Sequence, residues 1–301
     1  MGTLSTWTKA NDAWSSWGEQ MREALLDVLR WTAVFNHGLT ANDVRRYAAV
    51  EADEAAVEVA LQDLPEADCT SGRWHLVDHP LDPDGFQAAQ QRAKHHLEET
   101  SSALATLCSS TAVLGVAVTG SVAAGVNDED GDLDLLIIAR PGHVWRVRAL
   151  AIHLEHHHPG GWRFCPNMVL DARELNLRPS MYAAREMTML RPLKGRHWFE
   201  RLRAANPWVS EFLPNSDLAP NLTVEGEQGA VPAWWLLMRA PVVGRVIERW
   251  ERQRRIAELQ QASTSHEAVY AARRCLGHEN AHRTRIEERM ADLQHRGGVD
   301  A

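Results

Sequence analysis

Amphipathic segments with the period of an α-helix open the chain. Apolar residues recur there every three or four positions. The predicted helices are residues 21–35, a segment that begins after an N-cap at Thr40, and residues 53–64. A short hairpin over residues 70–77 follows, so residues 21–85 are predicted to form a winged-helix-like module. Residues 1–20 are polar, carry Trp and show no clear period, and we expect a flexible arm there.

Strand-like apolar runs dominate the middle of the chain, after a long predicted helix over residues 86–108. One run ends at the small-residue turn Gly120-Ser121, and a second begins after a polar loop and covers residues 133–138. The elements that follow are a helix over residues 143–158 and a strand over residues 163–170. This order predicts a small mixed sheet, the core of a domain over residues 86–215.

Helical periodicity returns in the last third of the chain. It begins at about Val231, is interrupted at Pro241, and continues in a last predicted helix over roughly residues 265–295. Residues 216–301 are therefore predicted to form a C-terminal helical region. The predicted fold class is α+β, with a mixed-sheet core between two helical regions.

Composition places the chain among ordinary globular proteins. Of its 301 residues, 45% are hydrophobic and 24% are charged, and the length suits two or three small domains. No apolar run approaches the roughly 20 residues of a membrane span, and the first residues lack an apolar signal core. The 4 cysteines lie far apart without metal-ligand spacing. We expect reduced thiols and a cytoplasmic protein.

The distribution of charge argues against nucleic acid as a partner. The net charge is −8, whereas nucleic-acid-binding proteins present a surplus of Lys and Arg to the phosphates. The third predicted helix would enter the major groove in a winged-helix regulator, yet it carries Asp53, Glu54, Glu58 and Asp63 and no Lys or Arg. We expect this module to serve packing or partner docking. A gel-shift assay would test the alternative, a transcription regulator.

Two carboxylates at the start of the strand over residues 133–138 are the main candidates for chemistry. Asp132 and Asp134 are two positions apart, so on a strand they face the same side. A divalent cation, Mg²⁺ or Mn²⁺, would relieve their repulsion, and Gly120 and Ser121 offer backbone N–H groups and a hydroxyl to a triphosphate. The alternative is a hairpin with a solvated acidic loop. The position of Asp134 inside an apolar run argues against it.

The turn and the two carboxylates together resemble the signature of a known superfamily. Gly120-Ser121, ten residues and then Asp132-Leu-Asp134 are similar to the motif of the nucleotidyltransferases, which include polymerase beta, the CCA-adding enzymes and the aminoglycoside nucleotidyltransferases. The resemblance implies a transfer of a nucleoside monophosphate from a triphosphate, with ATP expected. Further segments resemble a family of bacterial and archaeal proteins named for this fold. They are the winged-helix-like module, Cys165-Pro-Asn167, Ala184-Arg-Glu186, residues 191–196 and residues 206–215.

One position departs from the superfamily pattern. A third carboxylate often lies in the middle of the next strand, but Asn167 stands there, and the nearest acid is Asp171 at the strand's end. Asn167 could bind a metal weakly but could not deprotonate an acceptor, so Asp171 is the candidate base. Lys194 and Arg196, in a turn framed by Pro and Gly, are candidate triphosphate contacts.

Two functional hypotheses follow from these residues. The first is a metal-dependent nucleotidyltransferase that releases pyrophosphate; low basicity favours a small-molecule or protein acceptor. The second is a catalytically decayed nucleotide-binding or regulatory protein that acts through its helical modules, which Asn167 supports. Incubation with labelled nucleotides would separate the two.

Overall fold

The computed structural model describes residues 4–223, 226–227, 229, 231–238, 240–262, 268–277 and 282–296. Contacts divide the chain into two units. One comprises Met1–Phe86, Val209–Asp217 and Ile286–Ala301, and the other comprises Gln87–Trp208 and Leu218–Arg285. Each unit contains helices and strands, which agrees with the predicted α+β class. Among the described residues, no helix is both long enough and apolar enough to cross a bilayer.

The first unit has the predicted order of three helices and a hairpin. Its elements up to the hairpin are α1 (Leu4–Ala33), α2 (Ala41–Tyr47), α3 (Glu54–Gln62), β1 (Ala67–Thr70) and β2 (Arg73–Leu76). Thr40 is the N-cap of α2, as predicted, because its side chain accepts a hydrogen bond from the backbone N–H of Asp43. Strands β1 and β2 pair antiparallel, and Leu39 forms a bridge to Trp74 of β2.

Helix α1 includes most of the segment that the sequence assigned to a flexible arm. The helix spans Leu4–Ala33, so it covers residues 4–20, while residues 1–3 lie outside the described residues. Between Leu4 and Met21 the chain has no proline, and its one glycine, Gly18, costs about 1 kcal/mol in a helix and does not end it. Nothing in this stretch therefore breaks a helix that continues back from the buried residues Met21 and Leu25.

The rest of the chain contains the six strands of the sheet and further helices. Its elements are α4 (Pro83–Ser109), β3 (Val113–Val118), α5 (Gly120–Ala123), β4 (Leu133–Ala139), α6 (Val144–His157), β5 (Phe164–Asp171), α7 (Met181–Met189), β6 (Arg191–Lys194), α8 (Arg196–Ala204), α9 (Trp208–Phe212), α10 (Ala233–Met238), α11 (Pro241–Ala262), β7 (Val269–Ala271), β8 (Arg274–Leu276) and α12 (His282–Arg296). Of these helices, most of α9 and most of α12 belong to the first unit.

The predicted mixed sheet is present in the second unit. Six strands lie in the order β6-β3-β4-β5-β8-β7. Strands β3 and β4 pair antiparallel, and β4 and β5 pair parallel through the crossover helix α6. The central strands are buried, with Val116 and residues 135–138 almost without exposed surface. The first residues of β4 and β5 therefore lie at one end of the sheet and their last residues at the other.

Two short strands near the C-terminus differ from the sequence prediction. A single helix was expected over about residues 265–295, but β7 and β8 form a hairpin there and α12 begins only at His282. Strand β8 pairs antiparallel with β5, from Met168 opposite Leu276 to Leu170 opposite Arg274. The hairpin satisfies backbone groups of β5 that would otherwise form a buried edge, and this requirement is not visible in the local sequence.

Helix α11 buries polar residues rather than its apolar ones. Glu248 accepts hydrogen bonds from the backbone N–H groups of Trp145 and Arg146 at the start of α6, at 3.0 and 2.8 Å, and forms an ion pair with the buried Arg146 side chain. Val246 and Trp250 on the same helix are exposed. Glu248 thus satisfies orphan donors of α6 in the way an N-cap side chain does.

Candidate active site

The turn between β3 and β4 brings the backbone of Gly120 against the Asp134 side chain. Gly120 has φ +65°, and a Cβ atom at this position would lie 2.5 Å from Asp134 Oδ2. The Thr119 backbone N–H donates to the Asp134 carbonyl at 3.0 Å. Any other residue at position 120 would be strained and would collide with the carboxylate. Glycine is therefore required for the turn to approach Asp134 this closely.

A second carboxylate, that of Glu186 on α7, lies at the same turn. Its Oε2 atom accepts a hydrogen bond from Thr119 Oγ1 at 2.6 Å. The Tyr182 side chain and the Gly120 backbone N–H also donate to this carboxylate. Tyr182 is one helical turn before Glu186 and therefore lies on the same face of α7. The side chain of Glu186 is thus fixed beside Asp134 by three donors.

The surroundings of Asp134 favour its neutral form in the absence of a cation. Burial, the charge of Glu186 and, more weakly, that of Asp132 raise the pKa of Asp134 to about 7 against a hydrogen bond from the Cys165 thiol. Burial and the adjacent carboxylates in turn raise the pKa of Cys165, which remains a neutral donor. This arrangement of like charges is costly unless a cation lies among them.

Two further carboxylates border Asp134 and its neighbour Cys165. Asp132 immediately precedes β4 and is exposed. Glu155 lies near the end of α6, and burial raises its pKa, opposed by His156 and assisted by the charge of Asp132. The charges of these carboxylates make the start of β4 and β5 electronegative.

The exposed Ser121 side chain joins a hydrogen-bond network whose other side chains, Asn127 and His96, are buried. Its hydroxyl donates to Asn127 Oδ1 at 2.9 Å, and Asn127 Nδ2 lies 2.8 Å from His96 Nδ1. Since Asn127 Oδ1 also accepts from the Asp128 backbone N–H, its amide nitrogen must be the donor and the His96 Nδ1 atom the acceptor. A Cβ atom at Gly131 would lie 2.0 Å from Asn127 Oδ1. The network fixes the loop between the turn and β4.

Strand β5 places Cys165, not Asn167, beside Asp134. The register shifts between the pairs Asp134–Cys165 and Leu136–Met168, so two β5 residues oppose the single β4 residue between these pairs. One of the two is Pro166, which has no backbone N–H for a regular ladder. Among the described residues, the buried Oδ1 atom of Asn167 has no hydrogen-bond partner.

Asp171 lies at the opposite end of the β4–β5 pair. It pairs with Ala139, five residues along β4 from Asp134, or roughly 16 Å at the rise of a strand. Its carboxylate is fully buried and accepts hydrogen bonds from Gly142 N, Arg173 N, Arg173 Nε and Arg173 Nη2 at 2.8 to 3.0 Å. Burial alone would raise its pKa, but these bonds, with that from the Arg173 side chain the largest, lower it. The structure thus does not bring Asp171 to the turn.

Lys194 and Arg196 are also turned away from the Gly120 turn. Lys194 Nζ donates to the carbonyls of Cys108 and Ser110, at 2.5 and 3.0 Å, near the start of β3. Arg196 donates to the carbonyls of Leu218 and Ala219. The basic residue of this segment whose Cα lies at the turn end of β3 is Arg191, which pairs with Val118.

The residues at the turn suit a hard divalent cation that completes its coordination with substrate oxygens. Among the described residues, no three His, Cys, Asp or Glu side chains form a ready-made metal group. Asp134 and Asp132 offer carboxylate oxygens, and the charges beside Asp134 are negative. Mg²⁺ commonly takes one or two carboxylates together with phosphates and water. The crowding that raises the pKa of Asp134 is the observation that fits a cation here.

Sequence reasoning did not select Glu155 or Glu186. Glu186 occurs in Ala184-Arg-Glu186, a segment noted only for its resemblance. A weak signal was available, since Tyr182 and Glu186 are four residues apart behind the N-cap Ser180 and so share a helix face. The sequence could not show that this face meets the turn at Gly120.

One known protein family matches part of the chain. The family described as nucleotidyltransferase domain matches residues 98–159. This segment contains Gly120, Ser121, Asp132 and Asp134, and such a polymerase beta-like domain implies transfer of a nucleoside monophosphate from a triphosphate, typically with divalent metals. Neither a curated protein nor a solved structure was found to match the chain.

Proposed function

We propose that this protein transfers a nucleoside monophosphate from a nucleoside triphosphate, with ATP expected, to a small-molecule or protein acceptor and releases pyrophosphate. The observation that carries the proposal is the contact of the Gly120 turn with Asp134, with Asp132 exposed beside it, inside the segment that matches the nucleotidyltransferase domain. The family match supports the reaction class, and the acceptor class rests on the net charge of −8.

Asp132 and Asp134 would hold Mg²⁺ or Mn²⁺ at the start of β4. When bound, such a cation neutralises charge that develops on the phosphoryl oxygens and the leaving pyrophosphate. The fold contributes the position of Asp134, because β4 is paired with β3 on one side and β5 on the other and its central residues are buried. The exposure of Asp132 leaves the open side of the pair toward solvent, from which a triphosphate would approach.

The turn and the neighbouring strand would align the triphosphate. Asp134 Oδ2 fills the Cβ position of Gly120, and the Gly120 N–H donates to Glu186, so a phosphate would meet the turn at the exposed Ser121. Arg191 is the basic residue nearest in register to this end of β3 and is a candidate for neutralising a phosphate charge. In-line displacement then forms a bond from the acceptor oxygen to the α-phosphorus and breaks the bond to the bridging oxygen.

An acceptor that carries a proton needs a base to remove it, and this requirement limits the chemical class of the acceptor. Asp171 is the acid that the sequence suggested as a base, but its carboxylate is buried among donors at the far end of β5. Asn167 cannot accept a proton. An acceptor that is already ionised, such as a carboxylate or a phosphate, needs no base, and we propose such a group as the nucleophile.

A matched pair of variants in the same loop tests the function. In Asp132→Ala, we expect Mg²⁺-dependent ATP binding to weaken by about tenfold or more and pyrophosphate release to be lost. Asp130→Ala removes an exposed carboxylate of the same loop and should change neither. Calorimetry with and without Mg²⁺, together with a pyrophosphate assay over a panel of acceptors, gives both readouts. Equal ATP affinity in all conditions and variants would contradict the proposal.

The second candidate is a regulatory protein that binds nucleotide without turning it over. The specific observation in its favour is the amide of Asn167 on the strand where the superfamily often carries an acid. This candidate predicts Mg²⁺-dependent ATP binding that is lost in Asp132→Ala, but no pyrophosphate release by the parent protein with any acceptor. The same assay therefore separates the two candidates.

A further inference from the structure

Helix α11 places apolar side chains on the outside of the unit that contains the sheet. Val242, Val246 and Trp250 recur at every fourth position, so they lie on one face of the helix. Their exposed fractions are 70%, 63% and 58%. On α10, shortly before this helix, Leu236 and Leu237 are exposed as well. Large apolar side chains grouped in this way commonly mark a surface that meets another molecule.

The opposite face of α11 is held against α6 by polar contacts. Glu248 is buried and accepts hydrogen bonds from two backbone N–H groups in the first turn of α6. Gly244, one turn earlier on the same face, fits against Arg146, since a Cβ atom there would lie 2.1 Å from Arg146 Nη1. A rotation of α11 that buried its apolar side chains would break both contacts. The apolar face is therefore fixed toward the outside of the unit.

Arginines accompany the exposed apolar side chains of α11. Arg245 and Arg249 are one turn apart and exposed. In residues 241–253, all of which the structure describes, the only acids are Glu248 and Glu251, and both are buried. These two arginines and the three apolar residues at positions 242, 246 and 250 form the outer face of α11. This face is apolar and positively charged.

We propose that the outer face of α11 attaches the protein to an anionic lipid surface. A helix that lies in the plane of a bilayer buries its apolar side at the boundary of the acyl chains, where its arginines meet anionic headgroups. Trp250 belongs to a residue type that is enriched at this depth. The net charge of −8 does not oppose the contact strongly, because physiological salt screens charges that are more than about 8 Å away.

Other occupants fit the outer face less well. A symmetric dimer through this face would bring the arginines of both copies into one contact, without exposed acids of α11 to compensate them. An acidic protein would need a groove shaped for this helix, whereas a fluid lipid surface adapts to it. Attachment through three apolar side chains and two arginines should be reversible and sensitive to salt.

Two variants, each with a matched control, test the assignment of the surface. Trp250→Ala removes one exposed tryptophan, and Trp162→Ala removes another of similar exposure, 56%, on the turn before β5. Each of these rings is stacked against an arginine. Arg249→Glu and Arg201→Glu change the net charge equally, and Arg201 is exposed on α8, which follows the edge strand β6. All four side chains are exposed, so the variants should fold, and thermal unfolding checks this.

The measurement is co-sedimentation of the full chain with vesicles of phosphatidylcholine, either alone or mixed with about one third phosphatidylserine. We expect binding to the anionic vesicles only, with an affinity that falls as the salt concentration rises. Trp250→Ala and Arg249→Glu should each weaken this binding by about tenfold or more. Trp162→Ala and Arg201→Glu should each weaken it by less than about threefold.

Several results would overturn the proposal. These are no binding to anionic vesicles at low salt, equal binding to phosphatidylcholine alone, undiminished binding by Trp250→Ala and Arg249→Glu, and equal losses in each variant and its control. Sedimentation equilibrium without vesicles tests the dimer. Self-association that is lost in Trp250→Ala, without vesicle binding by the parent protein, would assign the outer face to a second copy. None of these results bears on the transfer reaction, because no residue assigned to that reaction lies on α11.

Discussion

The two ends of the β4–β5 strand pair carry the same side chain in opposite surroundings. Asp134, at one end, faces the carboxylates of Glu186 and Asp132, and its pKa is raised to about 7. Asp171, at the other end, accepts four hydrogen bonds from Gly142 and Arg173, and its pKa is lowered. Both side chains are largely shielded from solvent, so burial alone does not distinguish them.

The difference between their surroundings indicates which of the two carboxylates is available to a ligand. The charge of Asp171 is already compensated, and it secures the loops after β4 and β5. Burial and the neighbouring charges oppose the charge of Asp134, against a hydrogen bond from the Cys165 thiol, so a cation bound here, as we propose, would stabilise the site. This contrast supports our proposal that the ligand binds at the Asp134 end of the strand pair.

Removing the compensated carboxylate should have the largest effect on stability. Asp171→Ala leaves the backbone N–H groups of Gly142 and Arg173 without their acceptor, and we expect the free energy of unfolding to fall by about 3 kcal/mol. Because the pKa of Asp171 is lowered, its contribution is present above its unfolded pKa and disappears as the pH falls through the folded value.

Urea denaturation at pH 7 and at acid pH measures this change, with Glu174→Ala as the control for a partly exposed acid in the following turn. An equal loss of stability at all pH values would contradict the assigned role of the charge. Folded Asp171→Ala protein should bind ATP and Mg²⁺ normally. A loss of this binding would show that Asp171 takes part in the binding of ATP and Mg²⁺.

Neutralising the uncompensated carboxylate should stabilise the metal-free protein. Asp134→Asn at pH 8 in a chelator is expected to raise the free energy of unfolding by about 2 kcal/mol, because it removes the cost of burying this charge and its repulsion from Glu186. The raised pKa of Asp134 means that wild-type stability from this group is full below its unfolded pKa and is lost as the pH rises through about 7.

The difference in the free energy of unfolding between Asp134→Asn and the wild type should therefore vanish near pH 4, grow up to about pH 7 and stay constant above it. Unfolding curves across this range provide the measurement. Mg²⁺ and ATP should stabilise the wild type and not the variant. A variant less stable than the wild type at pH 8 without metal would show that the two ends of the strand pair do not differ as described.

The smallest expected effect concerns the lysine that the sequence assigned to the triphosphate. Lys194→Met removes donors to the Cys108 and Ser110 carbonyls at the end of α4, and we expect a loss of about 1 kcal/mol with unchanged ATP affinity. Lys94→Met, on the exposed face of α4, is the matched control. Calorimetry that shows about tenfold weaker ATP binding in Lys194→Met would place this lysine at the phosphates.

Local pattern was enough to predict the central strands and the turn. Gly120, Ser121, Asp132 and Asp134 lie within one strand-turn-strand segment, where spacing along the chain fixes which groups are neighbours. The Thr40 cap and the crossover helix α6 were predictable for the same reason. The β7–β8 hairpin was not, because its strands are three residues long and β8 pairs with β5, which is distant in the chain.

The sequence by itself determined that a glycine turn and two carboxylates meet at the start of a buried strand. The tertiary structure decided which other groups join them. Pro166 shifts the register of β5 and brings Cys165 beside Asp134, while the packing of α7 carries Glu186 to Gly120 and the length of β5 carries Asp171 away. Such choices depend on free energies of pairing and packing between segments distant in the chain, and no local periodicity records them.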